Sequence, residues 1–456
     1  MKALIIISCL GFLALLAEIL NFKKHLYTLT LLGLTVALGA SFTEWNSAMP
    51  SYLNHMVLFD NYSVAFIGVL IITAILWFLM APSFFKDDTH TADKSALVLF
   101  ALVGAICMVS YHNMTMLFIG IEILSICMYV LAGSNKKDLA SNESAMKYFL
   151  MGAFATGFLL MGIAFIYGAT ASFDIFQIKL YLQNNPAASP LFYTGIMLML
   201  IGLAFKISAA PFHFWAPDVY DGAPIQVTSF MATIVKTAAI AAFFKLFSTS
   251  FAAASDTWST TLMWLTAITI LVGNITAVFQ NDIKRMLAYS GVSHAGYLML
   301  AILAMNELGA HSLVYYTLAY SIATIAAFAV VLAVINAKGN SHFDSFLGLA
   351  KNNRLLAVAS TVSMLSLAGI PPLAGFFGKY YVFTAYLQNH SPILVLIALS
   401  GSAISIYYYF RLIVNMFKFE SDEKIALSYS TKVLLVASVI LTILLGLMPD
   451  LILGIW

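Results

Sequence analysis

Apolar runs of about 20 residues recur from one end of the chain to the other, separated by short polar stretches. A helix of about 20 apolar residues spans the hydrocarbon core of a bilayer. The pattern predicts fourteen helices, at roughly 3–21, 26–42, 62–82, 95–111, 113–133, 145–169, 190–210, 224–248, 258–280, 285–304, 309–337, 354–388, 391–417 and 430–449. Two of them carry internal proline breaks, one at Pro211 and one at Pro371-Pro372. A proline removes a backbone donor and frees the carbonyl four residues back, which for Pro211 is Ile207. Hydrocarbon cannot satisfy that carbonyl, so each break must face protein or a water-filled cavity. An even number of crossings returns both termini to one face, here called A; the first loop lies on face B.

Composition turns this pattern into a class. The chain has 456 residues, of which 62% are hydrophobic and 9% charged. That is an all-α polytopic membrane bundle, not a string of soluble domains. The opening MKALIIISCLGFLALLAEIL reads as a first membrane helix and not as a secretory or lipoprotein signal, because the apolar part before Cys9 is short and no soluble domain follows. Cys9, Cys107 and Cys127 form no CxxC pair, which argues against an iron–sulfur cluster or structural zinc and for small core residues.

The net charge of +2 says little, but its distribution says more. The face-B loops and their edges, Lys86 among them, hold fourteen lysines and arginines; face A holds Lys2 and Lys179. The positive-inside rule makes face B cytoplasmic or matrix-like and puts both termini outside. No basic stripe extends beyond these short loops, so nucleic acid is not an expected partner.

Helices four to eight (95–248) and nine to thirteen (258–417) have similar lengths, and the third helix of each set is broken and carries a lysine, Lys206 or Lys379. Five helices is an odd number, so the second set starts from the opposite face. Matched broken helices in inverted repeats point to an ion pathway. The chain then divides into an N-terminal three-helix segment (1–94), two inverted five-helix repeats, and a C-terminal segment (418–456) with the last helix.

Six cations lie within the helices: Lys147, Lys206, Lys236, Lys245, Lys379 and Arg411. Lys245 and Arg411 are near helix ends, where long side chains snorkel to water. Glu122 sits mid-helix in MLFIGIEILSICMYVL, where an isolated acid costs about 2.5–3.5 kcal/mol and calls for a partner. Lys206 is the favoured one; a purely structural ion pair is the alternative. Lys147 lies within two turns of a helix start and either snorkels or takes part. A Glu–Lys pair that opens and closes would move a buried lysine between two proton affinities, as a pump requires. His213 follows Pro211, and His294 lies in YSGVSHAGYLML with Tyr289, Ser290 and Ser293 near it. A lone histidine is commonly a satisfied core residue, yet both have polar or unwound surroundings and a side chain suited to proton shuttling. There is no HxxxH or HxxE spacing, no phosphate-binding loop and no Ser–His–Asp arrangement. The chain carries charges to relay and no redox or hydrolytic centre of its own.

Five segments, LFIGIEILSICMYVLAG, SAMKYFLMGAFATGFLLMGIAFIYGATAS, GLAFKISAAPFHFWAPDVYDGAPIQVTSFMATIVK, QNDIKRMLAYSGVSHAGYLML and LSLAGIPPLAGFFGKYYVF, together resemble the antiporter-like membrane subunits of respiratory complex I. The likeness runs from about residue 95 to 417 and is strongest with the subunit N family of NADH–quinone oxidoreductase, homologous to mitochondrial NADH dehydrogenase subunit 2. A lysine at position 379 fits subunit N, where subunit M typically has glutamate. The chain's end at Trp456 leads to the expectation that the long lateral helix typical of subunit L is absent. The resemblance implies that Glu122 and Lys206 interact, that Lys236 is the central lysine, that Lys379 leads outward, and that Lys147, His213 and His294 join the relay. It implies a proton-translocating subunit with no cofactor or metal in this chain; flavin, iron–sulfur clusters and quinone are expected in other subunits. The implied partners are the membrane-arm subunits M, K, J, A, L and H and the lipid of a bacterial inner membrane, with both termini periplasmic. Two alternatives remain in view: a subunit of a multi-subunit cation/proton antiporter or membrane-bound hydrogenase, which share this module, and a membrane spacer that moves nothing. A spacer has no reason to keep four lysines and a glutamate inside its helices.

Overall fold

The structure, a computed structural model, describes residues 1–19, 22–47, 51–53, 55–85, 90–185, 188–418 and 424–454. Lys86 of the face-B loops and the terminal Trp456 lie outside the described residues. The chain runs through α1 (Lys2–Ile19), α2 (Lys23–Phe42), α3 (Asn61–Met80), α4 (Thr91–Ser110), α5 (Met114–Ala132) and α6 (Leu139–Thr170). A short amphipathic α7 (Ile175–Asn184) precedes α8 (Pro190–Lys206) and α9 (Trp215–Gly222). Then come α10 (Ile225–Ser250) and α11 (Ser255–Val278). The remainder is α12 (Ile283–Ala304), α13 (Glu307–Lys338), α14 (Arg354–Ala368), α15 (Ala374–Leu387), α16 (Ile393–Lys418) and α17 (Tyr429–Leu447). A two-residue hairpin, Ser51–Tyr52 against Val57–Leu58, is the one sheet among the described residues.

Twelve of these helices are long and apolar enough to cross a membrane. The sequence pattern predicts fourteen crossings, and the difference lies at the two breaks. α8 and α14 are apolar but stop at 17 and 15 residues, because the chain leaves the helix before each proline. The segments resume as α9 and α15.

α10, α12 and α13 form the centre, and almost all their residues are buried. A helix that is apolar all round belongs in such a position. α10 is also irregular: Met231–Val235 and Leu246–Ser250 are π-helical turns, each adjoining a lysine, Lys236 and Lys245. Such turns recur at functional sites. The rim is made by α1, α2, α6, α11, α16 and α17, which turn Phe12, Phe154, Tyr407 and Ile440 outward. Cys107 and Cys127 are buried as expected, whereas Cys9 is exposed, because α1 packs only one side against the bundle.

Facing glycines bring helices close. A Cβ on Gly104 of α4 would lie 2.8 Å from the Gly120 carbonyl of α5. One on Gly162 of α6 would lie 2.8 Å from the Gly195 carbonyl of α8, and one on Gly202 would meet the Ala155 carbonyl at 3.2 Å. Without a side chain at these points the backbones approach, as small residues allow between membrane helices. At face A the turn before α5 is tied by backbone bridges of Val57 to Tyr111 and of Asn113 to Asp174; at face B, Asp282 bridges His342.

Candidate functional site

The first break occupies residues 207–214. Ser208 adopts a left-handed backbone, φ +62°, and the Ala210–Pro211 peptide is cis. Neighbours satisfy what the unwinding frees: the Ala210 N–H donates to Thr269 Oγ1 of α11 at 2.9 Å, and Trp215 Nε1 donates to the Phe205 carbonyl at 3.2 Å. Protein lining of this kind is what non-helical backbone at membrane depth requires.

Lys206, the last residue of α8, is 6% exposed. Its Nζ donates to Ser125 Oγ of α5 at 2.8 Å and stands 5.9 Å from the centre of the Tyr129 ring. Glu122 of α5 is within electrostatic reach, yet no ion pair joins it to Lys206. The expected direct pair is therefore intercepted. Ser125 lies one turn beyond Glu122 on the same helix face and reaches the ammonium first. Glu122 Oε1 is buried with no hydrogen-bond partner, and so are Tyr129 Oη, Ser208 Oγ and His213 Nδ1. His213 is itself buried, its ring against Phe214 at 4.4 Å between centroids.

Lys236 is 2% exposed and follows directly on the first π turn of α10. Its Nζ donates to the Gly291 carbonyl of α12 at 2.5 Å. A Cβ on Gly291 would stand 3.2 Å from that Nζ and 3.3 Å from Tyr320 Oη, so glycine makes the room for both. One turn on, His294 is pinned between helices: Nδ1 is 2.8 Å from Tyr316 Oη and Nε2 is 3.3 Å from Tyr409 Oη. Tyr409 Oη in turn shares a 2.5 Å hydrogen bond with Ser290 Oγ. His294 lies within electrostatic reach of both Lys236 and Lys379.

Lys379, in α15 beyond the second break, is 4% exposed. Its Nζ donates to the Ala368 carbonyl and to Ser402 Oγ, both at 2.9 Å, and sits 4.9 Å from the Tyr297 ring centre. Ala368 ends α14, so its carbonyl has no intrahelical partner, and an ammonium at a helix C-terminus also complements the dipole. Gly369 supplies the left-handed turn, φ +85°, and the Pro371–Pro372 peptide is cis.

Lys147 stands apart from this buried row. It is 41% exposed near the face-B end of α6, paired with Glu143 at 2.8 Å and with Asp218 of α9 at 3.0 Å. Asp218 also faces Arg285 at 3.5 Å, and Arg285 reaches Asp221 at 3.2 Å. Lys284 donates to the carbonyls of Asp221 and Ala223 at 2.6 and 2.7 Å. With Asp138 and Gln226 it lines a cavity of about 580 Å³. Asp218 and Asp221 escape a reading that takes PDVYDGAP as a turn alone. Their signal was the basic pair Lys284-Arg285 at the start of a later helix on the same face.

Lys245 corrects the sequence reading outright. It is 7% exposed and tied down inside the bundle, with Nζ 3.6 Å from Asp60 Oδ2 and bonded to Ser63 Oγ at 3.2 Å. Arg411 keeps to its helix end, donating to the Gln280 carbonyl and to Asn281 Oδ1, both at 3.1 Å. Among the described residues no group of three or more His, Cys, Asp or Glu side chains could hold a metal ion.

The family described as NADH:quinone oxidoreductase/Mrp antiporter, TM, matches residues 112–405. A protein of Cytophaga hutchinsonii named NADH-quinone oxidoreductase subunit N is 45% identical over 100% of this chain and 99% of its own length. One of the same name from Flavobacterium psychrophilum is 43% identical over 99% of each. The chain belongs to the NADH-quinone oxidoreductase subunit N family. The family resemblance drawn from the five motifs therefore holds. A chain of the respiratory complex I structure from Thermus thermophilus with bound aureothin, 32% identical, superposes with a TM-score of 0.83 over 99% of this chain and 98% of that one. A chain of the archaeal membrane-bound sulfane sulfur reductase, 24% identical, superposes at 0.88 over 99% of this chain and 95% of its own, and shares the subunit N fold alone.

Proposed function

We propose that this chain is the proton-translocating subunit N of a bacterial NADH–quinone oxidoreductase. One observation supports it most: Lys206, Lys236 and Lys379 are each almost fully buried, and each is held by hydroxyl or carbonyl oxygen without a carboxylate ion pair. A buried charge left without a counter-ion is costly, and inside membranes such groups mark ion pathways. An ammonium held by neutral oxygens can lose its proton without leaving an anion stranded.

In this reading Lys206 trades Ser125 for Glu122. Pairing with the carboxylate favours the charged lysine, and return to Ser125 disfavours it. A proton released at Lys206 passes to Lys236, then by way of His294 and its tyrosines to Lys379, which opens outward. His213, in the break, takes part in supplying Lys206. Lys147, with Asp218 and Arg285, gathers protons at face B. Quinone is reduced in other subunits and acts on this chain only through the Glu122–Lys206 switch.

Residues 95–248 and 258–417 are read as two inverted repeats that place the switch in the first and the outward exit in the second. The excess of loop cations on face B makes it cytoplasmic, with both termini periplasmic in the inner membrane. The apolar rim of α1, α2, α6, α16 and α17 suits lipid and neighbouring membrane-arm subunits, expected to be drawn from M, K, J, A, L and H. A subunit of a cation/proton antiporter is disfavoured. Likeness to a chain of the Mrp complex from Dietzia is 19%, against 45% over the full length for a subunit N relative.

The test is proton translocation by the assembled complex carrying Lys206→Ala or Glu122→Ala. Each is expected to lower it by about ten-fold or more, the scale on which positioned proton-transfer groups act. Normal translocation by an intact complex would sink the assignment.

A further inference from the structure

One polar side chain of the rim helix α11 turns inward without touching any of the buried lysines. Asn274 lies in the apolar stretch LVGNITAV, and its neighbour Ile275 is exposed on the outside of the bundle. Asn274 itself is fully buried between α11, α12 and α16. Glycines make the slot it fills. A Cβ on Gly296 of α12 would stand 3.0 Å from the Ile270 nitrogen, and one on Gly401 of α16 would stand 2.8 Å from Asn274 Nδ2.

Every bond of this amide has a direction. Nδ2 donates to the Ile270 carbonyl of its own helix at 2.8 Å and to Tyr297 Oη of α12 at 3.1 Å. Oδ1 accepts from Tyr408 Oη of α16 at 3.0 Å. A backbone carbonyl only accepts, so the end of the amide that faces Ile270 must be the NH2 group. Tyr408 therefore spends its one hydroxyl proton on Oδ1, and Tyr297 Oη accepts. The amide does not titrate, so these directions hold whatever charge the relay carries.

Both tyrosines wall the relay. The Tyr297 ring centre lies 4.9 Å from Lys379 Nζ, and the same ring meets His294 edge to face at 5.8 Å. Tyr408 packs on Tyr409 at 4.4 Å between centroids, and Tyr409 Oη is 3.3 Å from His294 Nε2. Ser402, next to Gly401 in the chain, bonds Lys379. An aromatic ring supports a cation only when its face is turned to it. The Tyr297 hydroxyl is the far end of that ring, and Asn274 holds it.

We infer that Asn274 is a positioning residue for the outward step: through the Tyr297 hydroxyl it keeps an aromatic face against the Lys379 ammonium, and through Tyr408 it braces Tyr409 beside His294. The inference rests on the proton-translocating reading. The amide links the two hydroxyls mechanically and passes no proton between them. Asparagine can also simply glue membrane helices together, and the two roles differ in what they change.

The experiment measures NADH-driven proton translocation against pH in membrane vesicles holding the assembled complex, with assembly checked on native gels. Asn274→Leu keeps the volume and removes both interhelical bonds, and it is expected to lower translocation by about three-fold or more. Tyr297→Phe keeps the ring and removes only the hydroxyl that Asn274 holds, and a fall of about two-fold or more is expected. Both should move the alkaline edge of the profile to lower pH by about half a unit or more, because an ammonium with less aromatic support gives up its proton earlier. The other ionisable groups towards Lys379 are His294 of α12 and Tyr316 of α13, whose ring lies against Gly378; neither is altered. α14 and α16 offer it the Ala368 carbonyl and Ser402, and α17 has ionisable side chains only in its first turn, Tyr429 and Lys432. A glue role would lower the rate by one factor at every pH. The double variant should pump no worse than Asn274→Leu alone, since both changes cut the same link. An unchanged rate in either single variant, an unmoved alkaline edge, or losses that multiply in the double variant would overturn the inference. Should Asn274→Leu fail to assemble, Tyr297→Phe decides alone. Lys379→Ala run in parallel separates the two readings. If it pumps normally, the relay is wrong and the inference falls with it; if it fails while the Asn274 and Tyr297 variants match the unmodified complex, only the role of Asn274 is wrong.

Discussion

Around Lys206 four buried polar atoms, on Glu122, Tyr129, Ser208 and His213, find no partner in the protein, and the ammonium rests on a single serine hydroxyl. Around Lys379 the ammonium caps a helix end, bonds Ser402 and faces the Tyr297 ring, and none of these groups is left unpartnered. The two breaks share their prolines, their lysines and their left-handed turns, yet they are finished differently. Buried polar atoms demand partners, and where protein supplies none, water does. The first break is therefore a wet place where a charge can choose between Ser125 and Glu122. The second is a place where the protein itself supplies the partners and the charge has one position. A switch and a receiver would be built in this way.

The largest effect expected from challenging this contrast is at Gly369. Gly369→Ala places a Cβ 3.0 Å from Lys379 Cδ at φ +85°, and a left-handed non-glycine residue costs about 1–2 kcal/mol. It should lower the detergent melting temperature of the complex, whereas Ser208→Gly, which relieves φ +62° at the first break, should not. Equal melting curves for the two variants would remove the distinction between a fixed and an adjustable break. Next comes Ser402→Ala, which takes away one of two hydrogen bonds to Lys379. That is about 1 kcal/mol, or about five-fold in translocation rate. Ser125→Ala should do least. With the hydroxyl gone, water in the break takes its place beside the ammonium, so Lys206 still moves between a neutral oxygen and Glu122, and translocation stays within about two-fold of the unmodified complex. A collapse of pumping in Ser125→Ala would mean that the serine, and not the carboxylate, is the essential partner.

Much of this arrangement is legible in the residue order. Apolar runs mark the helices, prolines mark the breaks, and Lys206, Lys236 and Lys379 announce themselves as charges where charge is expensive. What stays hidden depends on which helix faces are covered. Lys245 looks like a snorkelling residue because it lies near a helix end, and only packing on all sides of α10 turns it inward. Asp60 and His112 sit in separate turns, so only the folded bundle brings them to one cavity with Lys245, and Asp174 to the side of His112. The Glu122–Lys206 pair is a finer case. The sequence puts both residues in the right helices, but one turn of offset along α5 gives the ammonium to Ser125.

The glycine contacts between α6 and α8 bear on what kind of machine this is. Gly162, Gly195 and Gly202 clamp α8 to α6 along its length, backbone against backbone. A helix seated that tightly cannot slide or turn without losing the contacts that hold it. Whatever drives Lys206 must therefore work by swinging a side chain and rearranging a few waters while the scaffold stands still, more like a relay contact than a piston.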